Sequence, residues 1–415
     1  MRKKIISRQS EKAGVAAAFA VMFLLGTVLT ARAQAQTLTV LYSFTNSPDG
    51  AFPSGRLVRD KAGNLYATTV QGGSSGSGTV FMVDPIGQET VLHSFTNSPD
   101  GALPEAGVVR DRAGNLYGTT VIGGSSNSGT VFMVDPIGKE TVLHSFTNSP
   151  DGASPEAGVI RGEEGNLYGT TVSGGAFGYG TVFKLETTGK ETVLHSFTNS
   201  PDGAGPDAGL VRDKVGNFYG TTHGGGAFGY GTVFKLDATG EETVLHSFTY
   251  SDGAFPDAGL IRDEAGNLYG TTSGGGLVCG LHGCGTVFKV DPSGNETVLH
   301  SFTNTPDGAG PYASLVRDKA GNLYGTTLNG GAFGPGTVFK VDTSGNETVL
   351  HSFTNSPDGA GPYGGLVRDK AGNLYGTTEE GGASGHGTVF KLTSCGAQHD
   401  QSNAEEHDKK CGEEQ

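Results

Sequence analysis

Apolar and polar positions repeat along this chain with a period of 51 residues. The phrase HSFTNSPDG begins at His93 and returns at His144, His195 and His351. The Phe inside it marks seven equivalent positions, 51 residues apart except for one interval of 54: Phe44, Phe95, Phe146, Phe197, Phe248, Phe302 and Phe353. Repeats of about this length are typical of propeller blades and of helical arrays, and the residues within one unit decide between the two.

Each unit contains four short runs of β-forming residues and no helical period. Residues 106–146 contain the runs VVRD, NLYGTT, TVFMVD and ETVLHSF, which are rich in Val, Thr, Tyr and Phe. The turns DRAG and DPIG place Asp first and Gly fourth, where Asp caps the turn and Gly accepts a left-handed backbone. The sequence therefore predicts an all-β fold, a seven-bladed β-propeller with four antiparallel strands per blade over residues 37–394.

The two ends of the repeat region complement each other. The last unit stops after GTVFKLTS (387–394) and lacks its ETVLHSF run, whereas TLTVLYSF (37–44) is such a run with nothing before it. We therefore expect the N-terminal strand to complete the last blade and close the ring, which leaves no unpaired edge. The repeated SFTNSPDG then ends an outer strand and crosses to the next blade's inner strand, a step that every blade makes.

The unit resembles two known repeats. The pattern D-x-x-G-N-L-Y-G-T-T is similar to the strand–turn–strand signature of NHL-type and sensor-type bacterial propellers. The whole unit, with GGAFGxGTVFKL, resembles the GloVer tandem repeat of exported bacterial choice-of-anchor proteins, and it recurs seven times over residues 37–394. The resemblance implies a propeller and a location in the envelope or outside the cell, and it implies no defined activity.

The chain ends indicate export. A basic start is followed by the apolar run 14–30 and by ARAQA (31–35), which together are typical of a signal peptide over residues 1–35, cleaved after Ala33 or Ala35. An uncleaved membrane anchor is the alternative, but the run is shorter than the ~20 apolar residues of a span. We expect the processed protein to be a monomer without a membrane span and to have a hydrophilic tail over residues 395–415. We expect its location to be the periplasm, the cell surface or the extracellular medium. The net charge of −14 argues against nucleic acid as a partner.

Two sets of residues recur with the repeat. Six His share one position: His93, His144, His195, His246, His300 and His351, with Tyr42 at the seventh. Lying one blade apart, they cannot share a metal ion, so we expect each to be hydrogen-bonded within its own blade. Seven Asp lie in the crossing turn: Asp49, Asp100, Asp151, Asp202, Asp252, Asp307 and Asp358. Turn capping explains them, with one Ca²⁺ per blade as the alternative; we expect no other cofactor or metal.

Positions that vary between units are the candidates for ligand binding. The residue after the crossing Pro should lie at the rim of the central channel, and it is Ser54, Glu105, Glu156, Asp207, Asp257, Tyr312 and Tyr363 in turn. The loop between the second and third strands lies on the same face and also varies in sequence between units. Its candidate binding residues are His223, Tyr179, Tyr230 and His386. Inserts on one face of a repeat protein often mark a binding face, and drift of exposed loop tips is the alternative.

No arrangement of nucleophile, base and stabiliser appears in the sequence, so no catalytic residue is assigned. We expect an exported binding or interaction module, for a glycan or cell-envelope polymer or for another protein. A carbohydrate-active hydrolase or lyase using the rim carboxylates and Tyr is the alternative, and a purely structural surface protein is the third.

The four cysteines predict disulfides, since an exported chain with an even count favours pairing. Cys279 and Cys284 lie in the loop of the fifth unit, while Cys395 and Cys411 lie in the C-terminal tail. In the predicted fold the loop and the tail leave from opposite faces, farther apart than the ~7 Å that a disulfide allows between Cα atoms. We therefore predict the pairs Cys279–Cys284 and Cys395–Cys411.

Overall fold

The structure is a computed structural model that describes residues 36–277, 279 and 282–394. It contains seven four-stranded antiparallel sheets arranged as a seven-bladed β-propeller, and the described residues form no helix. The predicted fold class is confirmed. The predicted signal peptide and C-terminal tail, with the Cys395–Cys411 pair, lie outside the described residues.

The strands follow the blades in chain order, and within each blade they are the inner strand a, then b, c and the outer strand d. After β1 (Gln36–Ser43), blade 1 contains β2 (Val58–Arg59), β3 (Leu65–Thr69), β4 (Thr79–Val83) and β5 (Glu89–Ser94); blade 2, β6 (Val109–Arg110), β7 (Leu116–Thr120), β8 (Thr130–Val134) and β9 (Glu140–Ser145); blade 3, β10 (Ile160–Arg161), β11 (Leu167–Thr171), β12 (Thr181–Leu185) and β13 (Glu191–Ser196); blade 4, β14 (Val211–Arg212), β15 (Phe218–Thr222), β16 (Thr232–Leu236) and β17 (Glu242–Ser247); blade 5, β18 (Ile261–Arg262), β19 (Leu268–Thr272), β20 (Thr286–Val290) and β21 (Glu296–Ser301); blade 6, β22 (Val316–Arg317), β23 (Leu323–Thr327), β24 (Thr337–Val341) and β25 (Glu347–Ser352); and blade 7, β26 (Val367–Arg368), β27 (Leu374–Thr378) and β28 (Thr388–Ser394).

The N-terminal strand closes the ring. β1 pairs antiparallel with β28, from Gln36 opposite Ser394 to Ser43 opposite Thr388, and is the outer strand of blade 7. Tyr42 takes the place of the His found in the other six outer strands, and its hydroxyl donates to Asp49 at 2.6 Å. The closure predicted from the two incomplete ends is therefore confirmed.

The hydrophobic core lies between neighbouring blades rather than within one. Each strand c carries a buried Val-Phe pair, because its sheet is covered on both faces. The Phe of the repeated phrase packs edge-on against the strand-c Phe of the next blade, as Phe95 does against Phe132 with ring centroids 5.0 Å apart. Beyond this contact, the Arg of each inner strand lies over a Tyr of the preceding blade, as Arg110 does over Tyr66 at 5.4 Å. Seven copies of these contacts bind the blades into a ring.

The structure of the crossing between blades explains why the motif HSFTNSPDG is repeated. Asp100 is buried and accepts hydrogen bonds from the Thr96 amide (3.1 Å), the Thr96 hydroxyl (2.6 Å) and the His93 ring (3.0 Å). Equivalent His–Asp bonds occur at all six His positions. Because donors already occupy the carboxylate, a Ca²⁺ ion at this turn would have to displace them, and the turn-capping interpretation is favoured.

Inner strands are shorter than the sequence pattern suggested, with two residues each. The residues just before each inner strand are hydrogen-bonded to the preceding blade instead of to their own sheet. The Thr119 hydroxyl of blade 2, for example, donates to the Ala157 carbonyl of blade 3 at 2.9 Å. The chain around the channel is thus tied from blade to blade, which holds its side chains in fixed positions.

Candidate functional site at the channel mouth

The crossings and the b–c loops share one face of the ring, here called the crossing face. Backbone hydrogen bonds join each crossing to the b–c loop of the blade it enters, such as Ala51 N to Gln71 O at 2.8 Å, and to that of the preceding blade, such as Phe52 N to His386 O at 3.1 Å. The a–b and c–d turns lie on the opposite face, here called the turn face. The residue after each crossing Pro therefore opens onto the channel from the crossing face.

The channel mouth on this face is a small cavity of about 140 Å³. Six of the ten side chains proposed as ligand-binding line it, together with Ser54: Glu105, Glu156, Asp207, Asp257, Tyr312 and Tyr363. The other four, Tyr179, Tyr230, His223 and His386, come from the b–c loops and are not part of its wall. Of these, His223 nevertheless reaches the rim, where it contacts Asp257.

Asp207, His223 and Asp257 form the tightest group at the mouth. The His223 Nδ1 atom lies 2.5 Å from Asp257 Oδ1 and 3.6 Å from Asp207 Oδ2. The three residues come from the crossing into blade 4, the b–c loop of blade 4 and the crossing into blade 5. His223 is further held by Phe255, whose ring stacks on the imidazole with centroids 4.9 Å apart. Phe255 itself adopts a left-handed backbone (φ 58°), an unusual conformation for a bulky residue.

Burial and like charge shift the protonation of the rim carboxyls. Burial, together with nearby Asp257, raises the pKa of Asp207 well above its usual range. Burial, with Glu105 adding to it, raises the pKa of Glu156 to about 7, and burial also raises the pKa of Glu105. The hydrogen bond from His223 to Asp257 raises the pKa of the imidazole. Near neutral pH the rim therefore offers both protonated and ionised carboxyl groups.

Two tyrosines form an aromatic platform beside these acids. Tyr312 and Tyr363, from the crossings into blades 6 and 7, stack with ring centroids 5.4 Å apart and planes 21° from parallel. Burial raises the pKa of both phenols. Their hydroxyls thus stay protonated at neutral pH and are able to donate as well as accept hydrogen bonds.

Arg56 is a rim feature that the sequence analysis did not single out. The other blades place Gly107, Gly158, Gly209, Gly259, Ser314 and Gly365 at its repeat position. Its side chain lines the mouth and also two further cavities along the channel, and its Nε donates to the Leu366 carbonyl at 3.3 Å. The side chain is exposed to the channel, and the protein packed around the channel desolvates the guanidinium, which lowers its pKa. A long residue among small ones was the signal that could have identified it.

Glu379 is a second residue near the mouth that the sequence did not identify as a candidate for ligand binding. It occupies the first position of the blade 7 b–c loop, where blade 4 has His223. Burial, with Glu105 as the next contribution, raises its pKa to about 7. Glu379 is therefore coupled electrostatically to the rim carboxyl of Glu105.

A larger cavity of about 760 Å³ lies on the turn face, but apart from Arg56 its lining belongs to the repeat. Its arginines lie over tyrosines, as Arg317 does over Tyr269 at 5.7 Å, and its aspartates hold turn residues, as Asp318 accepts from the Asn322 side chain at 2.8 Å. The Arg–Tyr contact recurs in all seven blades, and the Asp–Asn side-chain bond recurs in six, since blade 3 has Gly162 in place of the Asp. The larger opening is thus explained by blade packing, whereas the crossing-face mouth is built from residues that differ between blades.

The b–c loops add an arc of exposed apolar side chains on four consecutive blades. Phe177, Phe228, Leu277 and Phe333 are 58–66% exposed. Tyr179 is also exposed, while Tyr230 packs against the rings of Tyr250 and Phe255. His386 lies near the Phe52 ring, with ring centroids 6.1 Å apart. Blade 5 carries the longest loop, which contains a Cys279–Cys284 disulfide with Cα atoms 5.6 Å apart.

A different cluster recurs at the outer blade junctions. The outer strands of blades 1 to 6 begin with Glu, and at one junction single ligand atoms of His246, Asp252 and Glu296 lie within 4.8 Å of one another. Burial, with the nearby Asp, raises the pKa of five of these Glu to about 7: Glu89, Glu140, Glu191, Glu242 and Glu347. Burial likewise raises the pKa of Glu296 to about 7. Because these Glu residues recur from blade to blade, we expect them to affect the pH dependence of folding stability and not ligand binding.

Fold and repeat define a seven-bladed β-propeller assembled from tandem units. The chain belongs to the Gloeobacter/Verrucomicrobia repeat family, whose sequence profile matches residues 22–161, 138–305 and 216–405. No curated protein matches the chain. Among the described residues no helix is long and apolar enough to cross a membrane.

Solved structures with a related shape share little sequence with this chain. One is the gluconolactonase XC5397 of Xanthomonas campestris, with 17% identity, coverage of 88% of this chain and 93% of the other, and a TM-score of 0.46. Another is a putative 6-phosphogluconolactonase of Bacteroides uniformis, with 19% identity, coverage of 75% and 88%, and a TM-score of 0.48. No activity is carried over from these matches to this chain.

Proposed function

We propose that this protein is an exported propeller that binds a glycan or cell-envelope polymer at the crossing-face mouth of its channel. The observation that carries the proposal is the meeting of the stacked Tyr312–Tyr363 pair with the rim carboxyls in one cavity. Aromatic rings offer an apolar face to a sugar ring. Carboxyl groups accept hydrogen bonds from sugar hydroxyls, and charged acceptors make the stronger bonds.

Cavity size supports a polymer end rather than a buried small molecule. The mouth measures about 140 Å³, below the roughly 300–1,000 Å³ of pockets that enclose a drug-sized ligand. One terminal unit would enter the mouth, and the rest of the ligand would lie across the exposed loop residues, including Phe177, Phe228 and Phe333. The acidic rim favours a neutral or amino-bearing glycan over an anionic one.

The disulfide in the b–c loop of blade 5 supports the proposal that the protein is exported. Disulfides persist in oxidising compartments and are rare in the bacterial cytosol, and the structure contains one between Cys279 and Cys284. The periplasm, the cell surface and the medium all satisfy this condition.

A hydrolase or lyase acting on the same glycan is the second candidate. It is favoured by the rim's mixture of carboxyl groups, since Asp207 has a strongly raised pKa and lies next to the His223–Asp257 pair. Sets of titratable groups whose pKa values are driven apart are typical of acid–base chemistry. The small cavity gives such an enzyme room only for the end of a chain.

A glycan array probed with the processed chain tests the proposal. Replacing Tyr312 and Tyr363 together by Ala should remove binding to any glycan that the parent selects, because the stacking surface is lost. Ile86→Ser is the matched control, since Ile86 is 88% exposed on the turn face. Undiminished binding by the double variant would refute the mouth as the site. A reducing-sugar assay on each selected glycan separates binding from hydrolysis.

A further inference from the structure

The Asp207–His223–Asp257 group contains buried acceptor atoms that no donor satisfies. Among the described residues, Asp207 Oδ1 and Asp257 Oδ2 have no hydrogen-bond partner. The Asp257 side chain is only 8% exposed. A buried carboxylate normally has its oxygens paired with donors or with a metal ion. Two such oxygens in one group therefore indicate that a cation belongs there.

The three side chains converge closely enough to share one ion. One ligand atom from each residue lies within 4.8 Å of the others. The position of His223 holds Val70, Val121 and Val172 in the three preceding blades, so the imidazole is a departure from the repeat and not a requirement of the fold. Arg56, which lines the same cavity, directs its Nε to a backbone carbonyl instead.

We propose that Asp207, His223 and Asp257 bind a divalent first-row transition metal ion, with Zn²⁺ as the best match. Imidazole nitrogen and carboxylate oxygen are both common zinc ligands, and three protein ligands leave a fourth position open. Ca²⁺ and Mg²⁺ fit less well, because they prefer oxygen ligands alone and Ca²⁺ takes six to eight of them. The mouth cavity beside the group, lined by Glu156 and Tyr312, would receive the open position.

Small side-chain movements would admit the ion. Ligand atoms about 2.0–2.1 Å from a tetrahedral zinc ion are separated by roughly 3.3 Å. His223 Nδ1 is already 3.6 Å from Asp207 Oδ2, while its 2.5 Å approach to Asp257 Oδ1 would have to widen. The metal ion would take the place of the hydrogen bond between His223 and Asp257. Phe255 keeps the imidazole plane fixed by stacking on it.

The metal proposal does not depend on glycan binding, since it rests on three side chains and can be tested with the ion alone. Metal-depleted protein, as the full processed chain, is titrated with ZnCl₂ by isothermal titration calorimetry. We expect a site that binds one Zn²⁺ per chain and that disappears, or weakens at least ~100-fold, in His223→Val. Valine is the residue that three other blades use at this position, so the variant should fold. Asp257→Asn should have the same effect.

His386→Ala is the matched control, because His386 lies on the same face outside the cluster, and it should bind as the parent does. Comparing variants that share an identical tail removes any contribution from the histidines and cysteines of residues 395–415. Zn²⁺ should also raise the melting temperature of the parent but not of His223→Val. Equal Zn²⁺ binding by parent and His223→Val would overturn the proposal. So would a parent that binds no Zn²⁺, or one that binds Ca²⁺ more tightly than Zn²⁺.

Discussion

Raising the pH from about 5 to 8 should destabilise this propeller, because six outer-strand glutamates would have to ionise in half-buried positions. One of them is Glu242, whose pKa rises to about 7 through burial and the nearby Asp202. Its Oε1 atom, like those of the five equivalents, is buried without a hydrogen-bond partner among the described residues. The folded chain therefore holds protons that the unfolded chain releases at lower pH.

The sign follows from which state binds more protons. Between the ordinary Glu pKa of 4.5 and the folded value of about 7, the folded state binds more protons, so the free energy of unfolding falls as pH rises. A shift of this size corresponds to about 3.4 kcal/mol for a fully shielded carboxyl. These side chains are partly exposed, and screening by water reduces the effect to about 1 kcal/mol each. The six together then cost about 6 kcal/mol, comparable to the net stability of many domains.

The assay is the melting temperature, or the urea midpoint, of the processed chain at a series of pH values. Stability should fall continuously from about pH 5 to pH 8, by on the order of 10 °C in melting temperature. Stability should also fall when the pH is lowered below about 4. Hydrogen bonds hold the pKa of turn carboxyls such as Asp213 below the usual range, and protonation of these carboxyls removes that stabilisation. Glu242→Gln should reduce the neutral-range slope, while Glu241→Gln, at the exposed neighbouring position, should not. Stability that is flat or rising between pH 5 and 8 would refute the reasoning.

Three further perturbations test the fold. Deleting residues 36–44 removes β1 and the buried Phe44, so the ring should open and the protein should aggregate or lose cooperative melting; a parent-like melt would contradict the closure. Phe132→Ala should cost about 3–5 kcal/mol in urea unfolding, because the ring is fully buried between blades 1 and 2, and a loss below 1 kcal/mol would contradict that packing. Asp151→Ala should cost about 3 kcal/mol, since the donors of Thr147 and His144 lose their acceptor; near-parental stability would show that water replaces it.

The repeat made the architecture predictable because the same physical requirement is written seven times. Apolar runs on both faces of strand c, Asp and Gly at the turns, and two incomplete ends were enough to predict blades, strand order and closure. The expectation that each repeated His is hydrogen-bonded also agrees with the structure. Its partner, the Asp of the following crossing, was seen only as a turn residue, because the bond forms across a chain reversal.

The candidate site at the channel mouth was harder to predict, because its residues come from different blades. His223 and Asp257 are 34 residues apart in the sequence, and nothing local to either residue indicates the contact. Arg56 was overlooked although it interrupts a run of Gly and Ser at one repeat position, and the exposed Phe177 and its equivalents were overlooked inside the GGAFG motif. Comparing each unit with the others, position by position, would have identified both.

The most direct test of the channel mouth as the binding site removes its charges while keeping its shape. The variant carries Glu105→Gln, Glu156→Gln, Asp207→Asn and Asp257→Asn, and its affinity for the glycan selected by the array is measured beside that of the parent. These are rim positions outside the hydrophobic core, so melting should be unchanged or slightly higher. We expect at least ~100-fold weaker binding, because several hydrogen bonds to charged acceptors are lost. Affinity within about twofold of the parent would contradict it.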